Sequence, residues 1–420
     1  MQIFWLGCNK LFHFETYWYS HSIMRFFTLL AFFIVTLQSC STETPYKPVD
    51  SGDDDYSTIL NLPVTEYNYS NIQLPAYFYI NDNGAIPSAV TGTDNTPANN
   101  AITDAGATLG RVLFYDRNLS LNRTTACGSC HRAEKSYADS GALSQGLNGI
   151  NTRRNSITLV NARFYRRGHF FYDERAATLE DQVLMPMFDH TEMDMTADLI
   201  IQRIREQPYY HDLFVKAFGT SNVTLEHIEQ ALAQFIRSMV SFTSKYDAGR
   251  AQVANMADAF PNFTEQENRG KDLFLKPLAL GGLNCYACHY TEAFICPDRG
   301  PINNGLDIVS TIDKGAFEFS GIESQKGAYK IPTLRNIVFT GPYMHDGRFN
   351  SLSEVVEFYN SGVQNHAQLS PLLKGADGLP RRLNLSEEDK AALIRFLNTL
   401  TDNTIQADPR WLDPFINQHL

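Results

Sequence analysis

Two pentads in this chain have the residue types and spacing to hold an iron cofactor: Cys127-Gly-Ser-Cys130-His131 and Cys285-Tyr-Ala-Cys288-His289. Two thiols at this spacing can form thioether bonds to the vinyl groups of a haem. A histidine directly after the second thiol can then take the iron from one side. A zinc site would instead need four converging ligands, usually two Cys-x-x-Cys pairs a short distance apart. Here the pairs stand about as far apart as two domain centres, and each has its own histidine. The pattern reads as two covalently bound c-type haems.

Attachment of that kind takes place outside the bacterial cytoplasm, and the N-terminus agrees. Met24-Arg25 is followed by an apolar run from Phe26 to Leu37 that ends in Leu37-Gln38-Ser39-Cys40. A short basic start, an apolar stretch and a small-residue cleavage point make a secretory signal. The run is too short to span a membrane, which takes about 20 apolar residues. Cys40 sits where a lipoprotein box places the lipidated first residue; the alternative is an ordinary signal that contains a cysteine. Met24 is read as the true start and residues 1–39 as the signal region. The expected location is the periplasmic side of the cell envelope, with lipid as the only membrane attachment. Of the seven cysteines, Cys8 precedes the signal, Cys40 takes lipid and four hold haem. Cys296 is left as a lone buried thiol. A net charge of -11 argues against a nucleic-acid partner.

The elements that must position these groups read as helices. Residues 40–100, rich in Pro, Asn, Asp, Thr and Tyr and including Asp53-Asp54-Asp55, suit a lipid tether and an N-terminal arm. Within them Leu74-Pro75-Ala76-Tyr77-Phe78-Tyr79-Ile80 is apolar enough to pack. Thr178-Leu-Glu-Asp181 is a capping box that opens a helix expected to stop at Pro186. Leu225, Ile228, Leu232, Phe235, Ile236 and Met239 recur at helical spacing after the N-cap Thr224. Thr264-Glu-Gln-Glu267, Ser351-Leu-Ser-Glu354 and Ser386-Glu-Glu-Asp389 open three more helices. Alternating strand patterns are scarce. The expectation is a mostly α fold of two tandem cytochrome c-type haem domains with long wrapping loops. They cover 101–250 and 251–420 and join in the Gly/Ala/Asn-rich stretch Lys245–Pro261.

From about Ala101 onward the chain resembles the bacterial di-haem cytochrome c peroxidase family, including its MauG-like branch. Beyond the pentads the likeness rests on Leu109-Gly-Arg-Val-Leu-Phe-Tyr115, Arg154-Asn155-Ser156, Phe171-Tyr-Asp-Glu-Arg-Ala176, Gln182 with Pro186, and Thr191-Glu-Met193. It continues through Ile331-Pro-Thr-Leu-Arg-Asn336 and Gly341-Pro-Tyr-Met-His-Asp-Gly347. The resemblance implies that hydrogen peroxide is reduced at the first haem with electrons relayed through the second. Splitting peroxide needs a base for one proton and an acid to return it to the other oxygen, and one carboxylate beside the iron can do both. Glu192 matches the family's catalytic glutamate, with Gln182 and Pro186 as pocket neighbours. The resemblance also implies a calcium ion held by the side chain of Asn155 and the carbonyls of Thr340 and Pro342; oxygen ligands suit that hard cation.

Three positions depart from the usual peroxidase. Leu147 stands where many relatives place a histidine that blocks the first iron, and leucine cannot ligate. Tyr359 replaces the far-side methionine of the second haem, which is the mark of the MauG-like branch. A phenolate there would favour ferric iron, whereas a core tyrosine would do nothing to it, and Met344 is a rival ligand. Tyr172 stands where relatives carry a tryptophan between the haems; it either relays electrons or packs against a porphyrin edge.

The reading is therefore a peroxidase-type oxidoreductase drawing electrons from a small redox protein. An alternative within the family is a MauG-like oxidant of a partner protein's side chain. A third, from another class, is a di-haem electron carrier without catalysis. Homodimers are common among relatives, so a homodimer is a further expectation, although no interface is visible in the sequence.

Overall fold

The computed structural model describes residues 56–80 and 89–416. Cys8, Cys40, the signal region 1–39 and the acidic run at 53–55 lie outside the described residues. The helices are α1 (Asp104–Tyr115), α2 (Cys127–Cys130), α3 (Leu179–Phe188), α4 (Ala197–Arg205), α5 (Pro208–Phe218), α6 (Leu225–Ser238), α7 (Lys245–Arg250), α8 (Glu265–Leu275), α9 (Phe317–Ser320), α10 (Leu352–Glu357), α11 (Glu387–Asn398) and α12 (Thr404–Ala407). Among the described residues there is no β-strand, only isolated bridges. The fold is mostly α, and long loops connect the helices. None of these helices is long and apolar enough to cross a membrane.

Helix starts follow local chemistry. The hydroxyls of Thr178, Thr224, Thr264, Ser351 and Ser386 accept from the N–H groups of Asp181, His227, Glu267, Glu354 and Asp389 respectively. Each satisfies a donor that the first helical turn leaves unpaired. The expected stop at Pro186 does not occur. α3 runs on to Phe188, and the Asp189 N–H still donates to Met185 O at 3.0 Å. Proline lacks only its own N–H and crowds the preceding turn, so the turn after it can close. The stretch 245–261 opens with α7, reciprocally capped by Ser244 and Asp247, and Tyr246, Asp247 and Arg250 of that helix are buried.

Two helix crossings have the same construction. Gly110 of α1 lies against Ala231 and Phe235 of α6, and a Cβ added to it would stand 2.0 Å from the Ala231 carbonyl oxygen. Gly270 of α8 lies against Ala392 and Phe396 of α11, where a Cβ would stand 1.9 Å from the Ala392 oxygen. In both, glycine on the first helix lets two backbones touch, and a phenylalanine one turn beyond the alanine covers the contact. One apolar cluster gathers around α1, α3, α5 and α6, and a second around α8, α10 and α11. Tyr77 and Phe78 from the N-terminal arm pack in a third cluster with Phe164, Val240 and Ile295. Fully buried Arg335 joins these parts, pairing with Asp247 at 2.6 Å, while Tyr77 Oη donates to the same aspartate. Cys296 is buried against Tyr290 and Ile331, and burial pushes its thiol up to about 11, as suits an inert core cysteine.

The repeated crossing yields a paired prediction. Gly110→Ala and Gly270→Ala should each cost about 1–3 kcal/mol by overpacking. The loss of haem uptake should be confined to the pentad next to the substituted crossing. Denaturant unfolding and separate mass spectra of the two haem-bearing peptides would check this; equal loss at both pentads would contradict it.

Two candidate haem sites and the seam between them

The first pentad forms one wall of a cavity of about 490 Å³, with Gln182, Pro186 and Glu192 on the same lining. α2 presents Cys127 and Cys130, and His131 follows as its C-cap. His131 Nδ1 lies 2.9 Å from the Tyr137 carbonyl oxygen, a geometry that fixes the Nδ1–H tautomer and leaves Nε2 as a metal ligand. Burial also holds the imidazole below its ordinary pKa, so it stays neutral. The second pentad lines a cavity of about 260 Å³ with His289, Asn304, Met344 and Tyr359. Burial lowers His289 to about 4. Its buried Nδ1 faces the Phe294 and Pro332 carbonyls without closing a hydrogen bond of ordinary geometry. None of the four pentad cysteines is in a disulfide. Among the described residues no three His, Cys, Asp or Glu side chains form a metal-binding group. A neutral buried imidazole and two free thiols at the wall of each cavity fit covalent haem.

Glu192 is positioned by a turn built on Asp189. The Asp189 carboxylate accepts from Thr191 N–H at 2.8 Å and Thr191 Oγ1 at 2.6 Å. Its carbonyl accepts from the N–H groups of Glu192, Met193 and Asp194. From the other side the loop carrying Leu147 closes on this turn, with Leu147 N–H donating to Thr191 O at 3.0 Å. Gly146 makes that approach feasible, because a Cβ there would lie 2.1 Å from Thr191 O and 2.9 Å from Glu192 Cα. Leu147 itself is buried at the edge of this turn. Burial, with the Asp189 charge adding to it, pushes Glu192 up to about 7. A carboxyl of that proton affinity can both take and return a proton near neutral pH. Met193, which the sequence marks only as part of the Thr191-Glu-Met193 motif, lines the same cavity.

In the second cavity Tyr359 and Met344 converge on one amide. Asn304 Nδ2 lies 3.5 Å from Tyr359 Oη and 3.7 Å from Met344 Sδ. Tyr359 sits in a π-helical turn, Phe358–Gly362, that continues α10. Such turns widen the helix and re-aim a side chain, and they recur at functional sites. Met344 has φ +75, a left-handed conformation costly for an unbranched L residue. Burial pushes the Tyr359 phenol up to about 12, so it ionises only if a metal takes the oxygen.

Tyr172 lines both cavities, as does Lys330. It sits on a loop closed by Phe170 N–H donating to Ala176 O, with left-handed Phe171 (φ +65) and Glu174 (φ +56) shaping the turn. Its ring meets Tyr329 edge-on at 6.5 Å, and Tyr329 stacks on His345 at 3.8 Å. Arg154 binds Asp173 at 2.6 Å and Asp313 at 2.7 Å and so pins the two sides together. Buried Lys330 donates to His169 O at 2.8 Å. Tyr329, Lys330, Asn304 and the Arg154 pairs were missed by sequence reasoning; their partners lie far away along the chain and leave no local pattern.

Asn155 N–H donates to His345 O at 2.8 Å and its Nδ2 to Gly141 O at 2.9 Å, which leaves Oδ1 free to ligate. Among the described residues no donor reaches the carbonyls of Thr340 or Pro342.

The profile of the di-haem cytochrome c peroxidase family matches residues 104–254. The methylamine utilization protein MauG of Methylorubrum extorquens is 31% identical over 307 residues, covering 72% of this chain and 80% of that protein. The chain belongs to the di-haem cytochrome c peroxidase family. Within that family, the cytochrome c551 peroxidase of Nitrosomonas europaea is 29% identical over 300 residues, covering 70% of this chain and 79% of its own. A crystal structure of a MauG-like protein associated with microbial copper homeostasis superposes with a TM-score of 0.69 at 30% identity. It covers 82% of this chain and 99% of that one. The family is a di-haem one, and its members here are enzymes, both MauG proteins and cytochrome c peroxidases.

Raised proton affinity at Glu192 has a signed consequence for stability. Its folded pKa of about 7 lies above the ordinary 4.5, so the native state favours the protonated form. That contribution is fully present below the unfolded pKa and is lost as pH rises through the folded one. Glu192→Gln should therefore gain stability relative to the parent between those two pH values and gain no more above them. Denaturant unfolding of the haem-loaded protein across this range checks it; a pH-independent difference would contradict it.

Proposed function

We propose that this protein reduces hydrogen peroxide in the first cavity, with electrons supplied through the second cavity from a small redox protein. The observation that carries this reading is Glu192, a half-buried carboxyl of near-neutral proton affinity on the lining shared with His131. Haem, when bound, supplies the iron that exchanges electrons with peroxide. Glu192 takes the proton of one peroxide oxygen and returns it to the other, so that water leaves. Asp189 holds the turn from which Glu192 acts. Leu147, which follows the cavity-lining Gly146 but is not itself on the lining, offers no ligand atom, so a haem held by His131 would need no reductive opening at this position.

Tyr359, with Met344 beside it, lines the same cavity as His289 and would supply the second ligand to a haem held there. Tyrosine ligation at that haem would favour ferric iron and a low potential. Tyr172 and Lys330 line both cavities, and Tyr172, in edge-on contact with Tyr329, carries electrons between them in this reading. Asn155, Thr340 and Pro342 hold calcium in this reading. Cys40 carries the lipid that keeps the protein at the periplasmic side of the envelope, and two copies associate as a homodimer.

Tyr359 also supports a second reading, the MauG-like oxidation of a partner protein's side chain. A low-potential second haem would favour sharing oxidising equivalents over rapid donor turnover. A carrier without catalysis fits less well, because it gives the near-neutral Glu192 no task.

Two substitutions test the assignment. Glu192→Gln should slow peroxide consumption by roughly 10²–10⁴-fold, the usual contribution of a lost acid–base group; unchanged turnover would remove Glu192 from the reaction. Tyr359→Phe should change the ligation spectrum of the second haem and leave that of the first intact. A spectrum that changes only in Met344→Leu would transfer the ligand role to methionine.

A further inference from the structure

α5 begins with two consecutive tyrosines whose hydroxyls share one carboxylate. Asp116, which ends α1, is fully buried. Its Oδ2 accepts from Tyr210 Oη at 2.8 Å and Tyr209 Oη at 3.1 Å, and its Oδ1 accepts from Asn118 N–H at 2.8 Å. The two rings lie 4.7 Å apart, and Tyr56 meets Tyr209 edge-on at 6.4 Å toward the surface. Acid–base chemistry at Glu192 uses none of these groups.

Holding α1 to α5 would explain two hydroxyls on a buried acid, but not the lack of a guanidinium bonded to it. Three other tyrosines donate to buried or half-buried carboxylates: Tyr77 to Asp247, Tyr246 to Glu292 and Tyr290 to Asp298. Each of those carboxylates is paired with an arginine, namely Arg335, Arg250 and Arg166. An adjacent guanidinium opposes protonation of the carboxylate. Asp116 forms no such ion pair among the described residues: Arg203 feels its charge but donates instead to the Asn118 carbonyl, and burial raises the proton affinity of the carboxylate. Tyr115 and Tyr137, by contrast, donate to the Trp411 carbonyl, which cannot accept a proton outright. A phenol loses an electron readily only when its proton has somewhere to go. Tyr210 lies in the apolar cluster against which Cys127 of the haem-bearing wall packs.

We propose that Tyr209, Tyr210 and Asp116 form a redox site that serves the first cavity. The inference rests on the reading that peroxide is reduced there. Reduction of hydrogen peroxide to water removes two electrons from the site. Tyr210 returns one of them, and its phenolic proton moves to Asp116 Oδ2 as a neutral tyrosyl radical forms. The radical is shared with Tyr209. A one-electron reductant arriving by way of Tyr56 restores the phenol, the proton returns from Asp116, and a second such cycle returns the other electron. The first cavity thus has a source of electrons independent of the second.

The test uses the ferric protein with both haems, grown with ring-deuterated or ordinary tyrosine, mixed with peroxide and frozen at successive times. Peroxide loss and organic radical are measured on the same samples. A radical is expected whose electron paramagnetic resonance line narrows on deuteration. It should be absent from the Tyr209→Phe/Tyr210→Phe double variant and should form roughly 10²-fold more slowly in Asp116→Asn, which keeps an acceptor but not a base. Should either variant fail to bind haem, the unchanged chain still decides. Mass spectrometry should place peroxide-driven oxidation or cross-linking on Tyr209 or Tyr210. Peroxide loss without radical or oxidation at this pair would overturn the redox site and leave the peroxidase reading standing. No peroxide loss at all would overturn both.

Discussion

The close approach of two helix backbones at Gly110 and again at Gly270 fixes the geometry on which both cavities depend. Each crossing brings a glycine within contact of an alanine carbonyl on the facing helix, leaving no room for a side chain. The pentads follow these crossings in the chain, and each presents its cysteines and histidine to the space beside the crossed pair. A small residue at the crossing sets the interaxial distance, and with it the position of the wall beside it. The loops can then vary around it, and they do.

Two cavities of common construction are given different far sides. In the first, a turn organised by Asp189 brings Glu192 to the lining, and burial tunes its proton affinity to near 7. In the second, a π-helical turn brings Tyr359 inward beside a left-handed Met344, both within reach of Asn304. In the proposed function, one lining offers a proton shuttle and the other offers ligand atoms. Between them the Arg154 pairs with Asp173 and Asp313 hold Tyr172 and Tyr329 in edge-on contact. The division of labour therefore arises from what faces each histidine rather than from the histidines themselves.

Much of this was legible in the sequence, for local reasons. Five N-caps were readable because a cap and its partner lie three residues apart, and the pentads because haem attachment is itself a local pattern. Pro186 misled, since its effect on the turn behind it says little about the turn ahead. α7 was hidden because Gly249 and the Ala/Asn-rich residues after it resemble a linker, although Ser244 and Asp247 supply a cap. The repeated crossing did leave a trace, Gly110-Arg-Val-Leu-Phe114 against Gly270-Lys-Asp-Leu-Phe274, which becomes visible only when the two halves are laid side by side. Tyr329, Lys330, Asn304 and the phenol pair on Asp116 left none. Their chemistry comes from partners distant in sequence, and from burial that no single residue type announces.

The central claim is that the first cavity is open opposite His131 while the second is closed opposite His289. Electron paramagnetic resonance of the fully oxidised, haem-loaded protein, before any reductant or peroxide is added, tests it most directly. The account predicts one high-spin and one low-spin ferric signal, with peroxide perturbing the high-spin signal first. Two low-spin signals in the oxidised protein, neither responsive to peroxide, would contradict it.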